Sequence, residues 1–288
     1  MATVIYSPII ANAETLTVNK SSSSFDLSTV DITMEEYNLL TFEERQALFD
    51  ELYNLVFPSN NNARYKSSED DPTHQAITSQ AADAFINDKG FYSSDSSASI
   101  ALLLTLVVYS GAPDSTSDES YKFSNYDHFH IPSTGNGLDL MSRSAADAFN
   151  EYYNKAIVAA NNDDMSNAMK HLGRALHYIQ DVTVPHHTVE ILTVAHANYE
   201  AFCHENIANY IGDFSTVDEN SYANILTQSC VSLVEGTARV SNLCYERVNN
   251  SFNQSDWDTV ARRQTVSATK KTATILYKFA VDANLTLY

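Results

Sequence analysis

Residues 97–110 (SASIALLLTLVVYS) are apolar on nearly every side of a helical wheel. A helix without a polar face cannot rest on a surface, so this segment predicts a central buried helix wrapped by others. The wrapping is legible on both sides of it. Residues 73–88 carry Ala76, Ile77, Ala81, Ala84 and Phe85 at helical spacing. Residues 138–161, 164–181, 188–213, 220–248 and 256–285 read as further helices, and in 164–181 the stripe Met165, Ala168, Met169, Leu172, Leu176, Ile179 recurs at i, i+3, i+4. No strand pattern and no internal repeat stands out. The chain has only 7 Gly and 6 Pro in 288 residues, where average usage would give about 20 Gly. Few turn residues argue against a β-sandwich and against Gly-rich phosphate loops. The expected class is all-α, a compact multi-helix domain.

Upstream of this region the signals change. Residues 2–10 (ATVIYSPII) followed by Ala11-Asn12-Ala13 read either as the remnant of a signal peptide over residues 1–13 or as a chance small-x-small match. Residues 14–32 are Ser/Thr-rich. Thr33-x-x-Glu36 and Thr41-x-x-Glu44 are capping boxes that predict helix starts, the second opening a helix to about Val56 with Leu48, Leu52 and Leu55 on one stripe. Pro58, the run 59–62 and the polar stretch 66–71 place a boundary near 58–70. Residues 14–64 therefore read as a partly helical N-terminal extension or propeptide, and 65–288 as the main domain.

Formal net charge is −19, from 36 acidic and 17 basic residues. That balance disfavours a nucleic-acid binder, which needs a basic surface. With 44% hydrophobic residues the chain is too apolar for disorder, and no apolar run reaches the roughly 18 residues of a membrane span. Cys203, Cys230 and Cys244 lie in helix-like stretches and suit core packing; one pair remains open, but no disulfide framework can be built from three.

The histidines are uneven. Eight of nine fall between His128 and His204, and His74 stands alone upstream. His177 and Asp181 are i, i+4 on one helix, and so are His196 and Glu200 on the next. Each pair alone is either a solvated pair or two ligands of one ion. Between them Pro185 stiffens a turn that carries His186 and His187. The aperiodic stretch 111–137 adds Asp114, Asp118, Asp127, His128 and His130, and a loop this long in a compact domain is either functional or disordered. Imidazoles with a few carboxylates form the ligand set of hydrolytic zinc, and two or three close ions would clamp a phosphodiester and acidify a water. A carboxylate can bridge two ions, which makes the Asp residues of the cluster the more informative ones. G-x-S-x-G and H-E-x-x-H are both absent, so neither a serine triad nor a zincin is supported.

The segment 171–200 resembles the bacterial zinc-dependent phospholipase C family, of the alpha-toxin catalytic-domain type. The matching motif is His177-Tyr178, Asp181, Pro185-His186-His187, then His196 and Glu200. Thr73-His74-Gln75-Ala76-Ile77, Gly111-Ala112-Pro113-Asp114 and Asp127-His128-Phe129-His130-Ile131-Pro132 resemble the family's upstream segments. The resemblance runs from about residue 73 to the C-terminus. It implies a compact all-α catalytic domain binding two or three zinc ions. Asp114, His128, His177 and Asp181 would hold one ion, and His187, His196 and Glu200 a second. His74 with a bridging Asp181 would hold the third. Asp114 would also orient or deprotonate the attacking water. In the family the third ion is bound as well by the amino group of an N-terminal Trp. Here the single Trp is Trp257, and 73 residues precede His74. Three readings stay open: cleavage after Arg64 frees Tyr65; Glu69, Asp70 or Asp71 substitutes; or the third ion is missing. Ser115 and Tyr126 replace the family's choline-pocket aromatics poorly, so head-group choice is open. His130, His171, His186 and His204 read as supporting or exposed residues.

The implied activity is hydrolysis of the glycerol-side phosphodiester of a phospholipid, giving diacylglycerol and a phosphorylated head group. The alternative is a phosphodiesterase on single-stranded nucleic acid, as in the related zinc nucleases, although Glu200 follows the lipase-type pattern. A third reading is a metal-stabilised adhesin with a degenerate site. The resemblance further implies secretion, a monomer and transient contact with a membrane surface. The acidic surface would favour zwitterionic over anionic lipid. Strong lysis is not expected, because the chain ends soon after its last helical segment.

Overall fold

The computed structural model describes residues 4–5, 25–57, 73–90, 96–115, 117–120, 126–138, 143–191, 193–249 and 253–285. Within them the chain forms α1 (Met34–Leu39), α2 (Phe42–Val56), α3 (Thr73–Lys89), α4 (Ser96–Ser110), α5 (Ala145–Asn161), α6 (Met165–Asp181), α7 (Val194–Ile211), α8 (Glu219–Ile225), α9 (Cys230–Asn242), α10 (Tyr245–Asn249) and α11 (Gln254–Asp282). The one β pairing among the described residues is parallel and two residues long, β1 (Val4–Ile5) on β2 (Val30–Asp31). The class is all-α, as expected.

Two helices share the centre. On α4, Ile100, Leu103, Leu104, Leu106, Val107 and Val108 are buried, as its all-round apolar pattern requires. On α6 every residue from Leu172 to Asp181 is buried, although half of that helix is polar. Gly173 is why the two approach so closely. A Cβ there would sit 2.6 Å from the Leu106 carbonyl oxygen and 2.9 Å from the Tyr109 backbone, so any side chain would force the helices apart. α5 lies along α6, and α11 closes the bundle against α3 and α7. A second apolar cluster joins Tyr199, Tyr210, Cys244, Val248 and Trp257. Trp257 is thus a core residue, its indole N–H donating to the Val248 carbonyl at 2.9 Å. Cys230 and Cys244 are buried in separate clusters, and no disulfide forms.

Both capping boxes form. The Thr33 and Thr41 hydroxyls accept from the Glu36 and Glu44 N–H groups at 3.2 Å, and the two glutamates accept from the threonine N–H groups in return. Other boundaries differ from the sequence expectation. The segment 220–248 is three helices, because Ser229 caps a new start by accepting from Ser232 N–H at 3.1 Å. α5 begins only at Ala145, where Asp147 accepts from the Ser144 N–H. Thr193 is extended, so α7 begins at Val194 and residues 185–188 form a separate 3₁₀ turn. The expected boundary at 58–70, Ala11–Ala13, the Arg64–Tyr65 bond and residues 69–71 lie outside the described residues. No described helix is long and apolar enough to cross a membrane.

Candidate metal centre

Eight side chains from six elements converge on one cleft. His74 sits in the first turn of α3, and Asp114 ends a 3₁₀ turn (Ala112–Asp114) directly after α4. His128 ends a second such turn (Tyr126–His128), and His177 and Asp181 close α6. His187 lies in the 3₁₀ turn Pro185–Thr188, and His196 and Glu200 occupy the start of α7. The ligand-capable atoms form three groups, each with its atoms within 4.8 Å of one another: His74, His177, Asp181; Asp114, His128, His177; and His187, His196, Glu200.

Asp181 is the centre of this arrangement. One carboxylate oxygen lies 2.9 Å from His128 Nδ1 and 3.1 Å from His177 Nε2. The other lies 3.5 Å from His74 Nε2 and 3.6 Å from His187 Nδ1. Asp114 stands nearer the solvent, its side chain 33% exposed, with oxygens 3.7 Å from His177 Nε2, 3.8 Å from His128 Nδ1 and 4.0 Å from His74 Nε2. In the third group, Glu200 Oε1 is 3.0 Å from His187 Nε2 and 2.9 Å from His196 Nε2. The solvated reading of His177 and Asp181 does not apply, because both are buried where α3 and the turns Ala112–Asp114 and Tyr126–His128 pack on α6.

The far side of two rings is fixed by groups outside the cluster. His74 Nδ1 meets Gln180 Oε1 at 2.8 Å, and His177 Nδ1 donates to the Ser110 carbonyl at 2.9 Å. Both rings are therefore anchored through Nδ1 and present Nε2 to the cleft, the nitrogen a metal would take. Gln180 is itself locked, its amide donating to Thr78 and Thr272. The loop 126–131 spans both ends of the cleft. Phe129 stacks on the His187 ring at 4.7 Å, and His130 N–H donates to the His187 carbonyl at 2.9 Å.

The electrostatics fit a cation. Burial pushes His128 down, yet Asp181 beside it and Asp114 and Asp127 beyond override that and push it up to about 9. His177 is raised by Asp181 and then Asp114, against its own burial. Burial would raise Asp181, but His177 and His128 hold it well below the usual carboxylate range. Burial is likewise outweighed at Glu200 by hydrogen bonds from His187 and His196, which hold it far below that range. A buried carboxylate that draws protons onto its imidazoles makes a site of strongly negative potential, and a divalent cation with the same donors satisfies it in place of those protons.

Other sequence candidates have different partners. Asp118 forms a bidentate pair with Arg174 at 2.9 and 2.7 Å, pinning the segment after Asp114 to α6. Asp127 is buried and belongs to none of the three groups, and His130 pairs with Glu235. His186 is fully buried and stacked parallel on His196, 5.2 Å between centroids. Gln180 and Glu235 escaped sequence reading. Gln180 meets a residue 106 positions away and Glu235 one 105 away, and no local spacing marks such pairs.

Comparison with known proteins puts this centre in context. No protein-family model matches the chain. A phospholipase C of Bacillus cereus is 28% identical over 131 residues, 45% of this chain and 46% of the relative. One of Paraclostridium bifermentans is 27% identical over 176 residues, covering 53% and 44%, and one of Clostridium perfringens is 25% identical over 178, covering 55% and 45%. The chain thus spans under half the length of these curated relatives. Among solved structures, the alpha toxin from Clostridium absonum superposes with a TM-score of 0.65 at 21% identity, covering 74% of this chain and 64% of the toxin. An avian-strain Clostridium perfringens alpha-toxin gives 0.62 at 22%, with the same coverage. The chain therefore resembles the bacterial phospholipase C proteins in sequence and shares the all-helical fold of the alpha-toxins.

Proposed function

We propose that the chain is a zinc-dependent phospholipase C that hydrolyses the glycerol-side phosphodiester of phospholipids. The observation that carries this reading is Asp181, buried within 3.6 Å of four imidazoles from four elements. Such a donor set suits close zinc ions bridged by a carboxylate, and the relatives similar in sequence bear the name phospholipase C. Asp114, His128, His177 and Asp181 would hold one ion, His187, His196 and Glu200 a second, and His74 with Asp181 a third. Bound zinc supplies Lewis-acid polarisation of a phosphoryl oxygen and brings the pKa of a water towards neutrality.

The chain's own residues do the rest. Asp114, one-third exposed at the mouth of the cluster, orients a water and accepts its proton. Water oxygen bonds to phosphorus as the bond to the glycerol oxygen breaks. That oxygen takes up the proton that Asp114 accepted, leaving diacylglycerol and a phosphorylated head group and Asp114 ionised again. Gln180 and the Ser110 carbonyl keep His74 and His177 anchored through Nδ1 throughout. Exposed Ile191 and Val194, on the connection between His187 and His196, offer apolar contact to a lipid surface beside the cleft. A secreted protein that meets lipid from solution fits this reading.

The test is hydrolysis of phosphatidylcholine micelles beside single-stranded DNA, with zinc counted per chain. Diacylglycerol release that stops on chelation and returns with zinc is the expected result. DNA cleavage without lipid cleavage would overturn it in favour of a nuclease, and stable zinc with neither activity would favour a binding module.

A further inference from the structure

The segment ahead of α3 reads from the sequence as an extension or as a propeptide to be shed. Its packing is that of a core element. Leu27, Ile32, Tyr37, Leu48, Phe49, Leu52 and Phe57 are buried in the same apolar cluster as α4, α5 and α6. Its polar groups are also committed. Tyr37 Oη lies 2.7 Å from Ser79 Oγ on α3, and Arg45 pairs with Asp83 while lying 4.4 Å over the Tyr37 ring. Phe57 packs edge-on against Tyr109 near the end of α4, ring centroids 5.2 Å apart.

One contact reaches the metal centre. Tyr53 Oη donates to the Gly111 carbonyl at 3.1 Å, and that carbonyl also accepts the Asp114 N–H at 3.3 Å. The preceding carbonyl, Ser110, is the one that orients His177. Both lone pairs of the Gly111 oxygen are thus engaged, one by the turn that presents Asp114 and one by the extension. The fit is close. A Cβ on Gly111 would lie 2.6 Å from Gln75 Nε2 and 3.1 Å from the Tyr53 ring.

We infer that residues 25–57 are a resident wall of the metal centre, not a cover removed on maturation, and that Tyr53 is the positioning residue through which they hold the Asp114 turn. The role of Tyr53 rests on the metal reading above; the residence of the segment does not. Two measurements separate them. A site-specific protease sequence is placed between residues 57 and 73 of the full chain, cut, and the product is run on a sizing column without denaturant. Co-elution of both fragments is expected; release of the N-terminal fragment from a remainder that stays folded and monodisperse overturns residence. In the uncut chain, cobalt(II) is titrated by its visible absorption in the unaltered protein, in Tyr53→Phe and in Glu200→Gln, the last identifying the His187 group. Tyr53→Phe is expected to weaken the Asp114-containing group about threefold to tenfold, the share of one hydrogen bond, and to leave the His187 group unchanged. An unchanged titration, or equal weakening of both groups, overturns the positioning role. No cobalt binding by the unaltered protein sinks the metal reading and that role together, while co-elution still decides residence.

Discussion

Around Asp181 the imidazoles arrive from α3, from the turn before His130, from α6 and from the turn after it, and their positions depend on how four elements pack. At the other end of the cleft, His187 and Glu200 are 13 positions apart with His196 between them, and His196 and Glu200 share one face of α7. In the first group the Asp181 carboxylate is buried, 5% exposed, with four imidazoles within 3.6 Å. In the second the Glu200 side chain is 39% exposed. A distributed group can be tuned by residues far away in sequence, as Gln180 tunes His74, whereas a local group is set by helix geometry and one turn. The difference predicts that substitutions will spread between the ends in one direction only.

Asp181→Asn should have the largest effect, because Asp181 alone touches ligands of every group. The several kcal/mol of charge stabilisation a metal supplies puts the fall in the proposed phospholipid hydrolysis at roughly a thousandfold or more. Zinc per chain should fall by more than one equivalent. Loss confined to a single equivalent would show that the two ends are independent and that Asp181 bridges nothing. His196→Ala should do less: the local group loses its metal while His74, His128 and His177 keep theirs, and zinc analysis should drop by one. If both ends empty, the local group supports the distributed one and the comparison runs the other way.

Gln180→Leu probes the distributed end without touching a ligand. His74 loses the acceptor at Nδ1, and such outer partners are worth about tenfold to a hundredfold in metal affinity. Chelator competition should show that loss at one site only, with the melting temperature of the metal-free protein changed far less than by removal of a core side chain.

The same contrast explains what could be read in the sequence. The all-α class was legible because 97–110 has no polar face, and the local group because His196 and Glu200 obey helical spacing next to a Pro-fixed turn. The two capping boxes were legible for the same local reason. For the distributed group, spacing offered one pair, His177 and Asp181; the long loop offered Asp114 and His128 undistinguished from Asp118, Asp127 and His130, and the resemblance singled those two out and added His74, since no periodicity links positions so far apart. Burial of the polar face of α6 was hidden as well. It comes from the turns Ala112–Asp114 and Tyr126–His128 packing on that helix, with the Asp118–Arg174 pair beside them. Helix breaks at residues 226–229 were missed because Ser229 looks like any surface serine until it caps.

At neutral pH the smallest effect belongs to His186, which sits at the local end and is in none of the three candidate metal groups. Its ring is fully buried and stacked on His196, and burial first, then the neighbouring His196 and His187, pushes it down to about 3. The unfolded chain takes up this proton near the ordinary value of 6.5, so below that pH it binds more protons at this position than the folded chain does. The stability this residue contributes should therefore be full above about pH 6.5 and be lost progressively as the pH falls from there towards about pH 3. His186→Phe keeps a flat ring against His196 and removes the proton. Guanidinium unfolding of the metal-free protein should give a constant difference between the two proteins from pH 8 to 7. Below pH 6.5 the variant should gain on the parent steadily as the pH falls. A difference that stays flat down to pH 4 would mean that His186 accepts its proton in the folded state, and that the local end is more open to water than its packing implies.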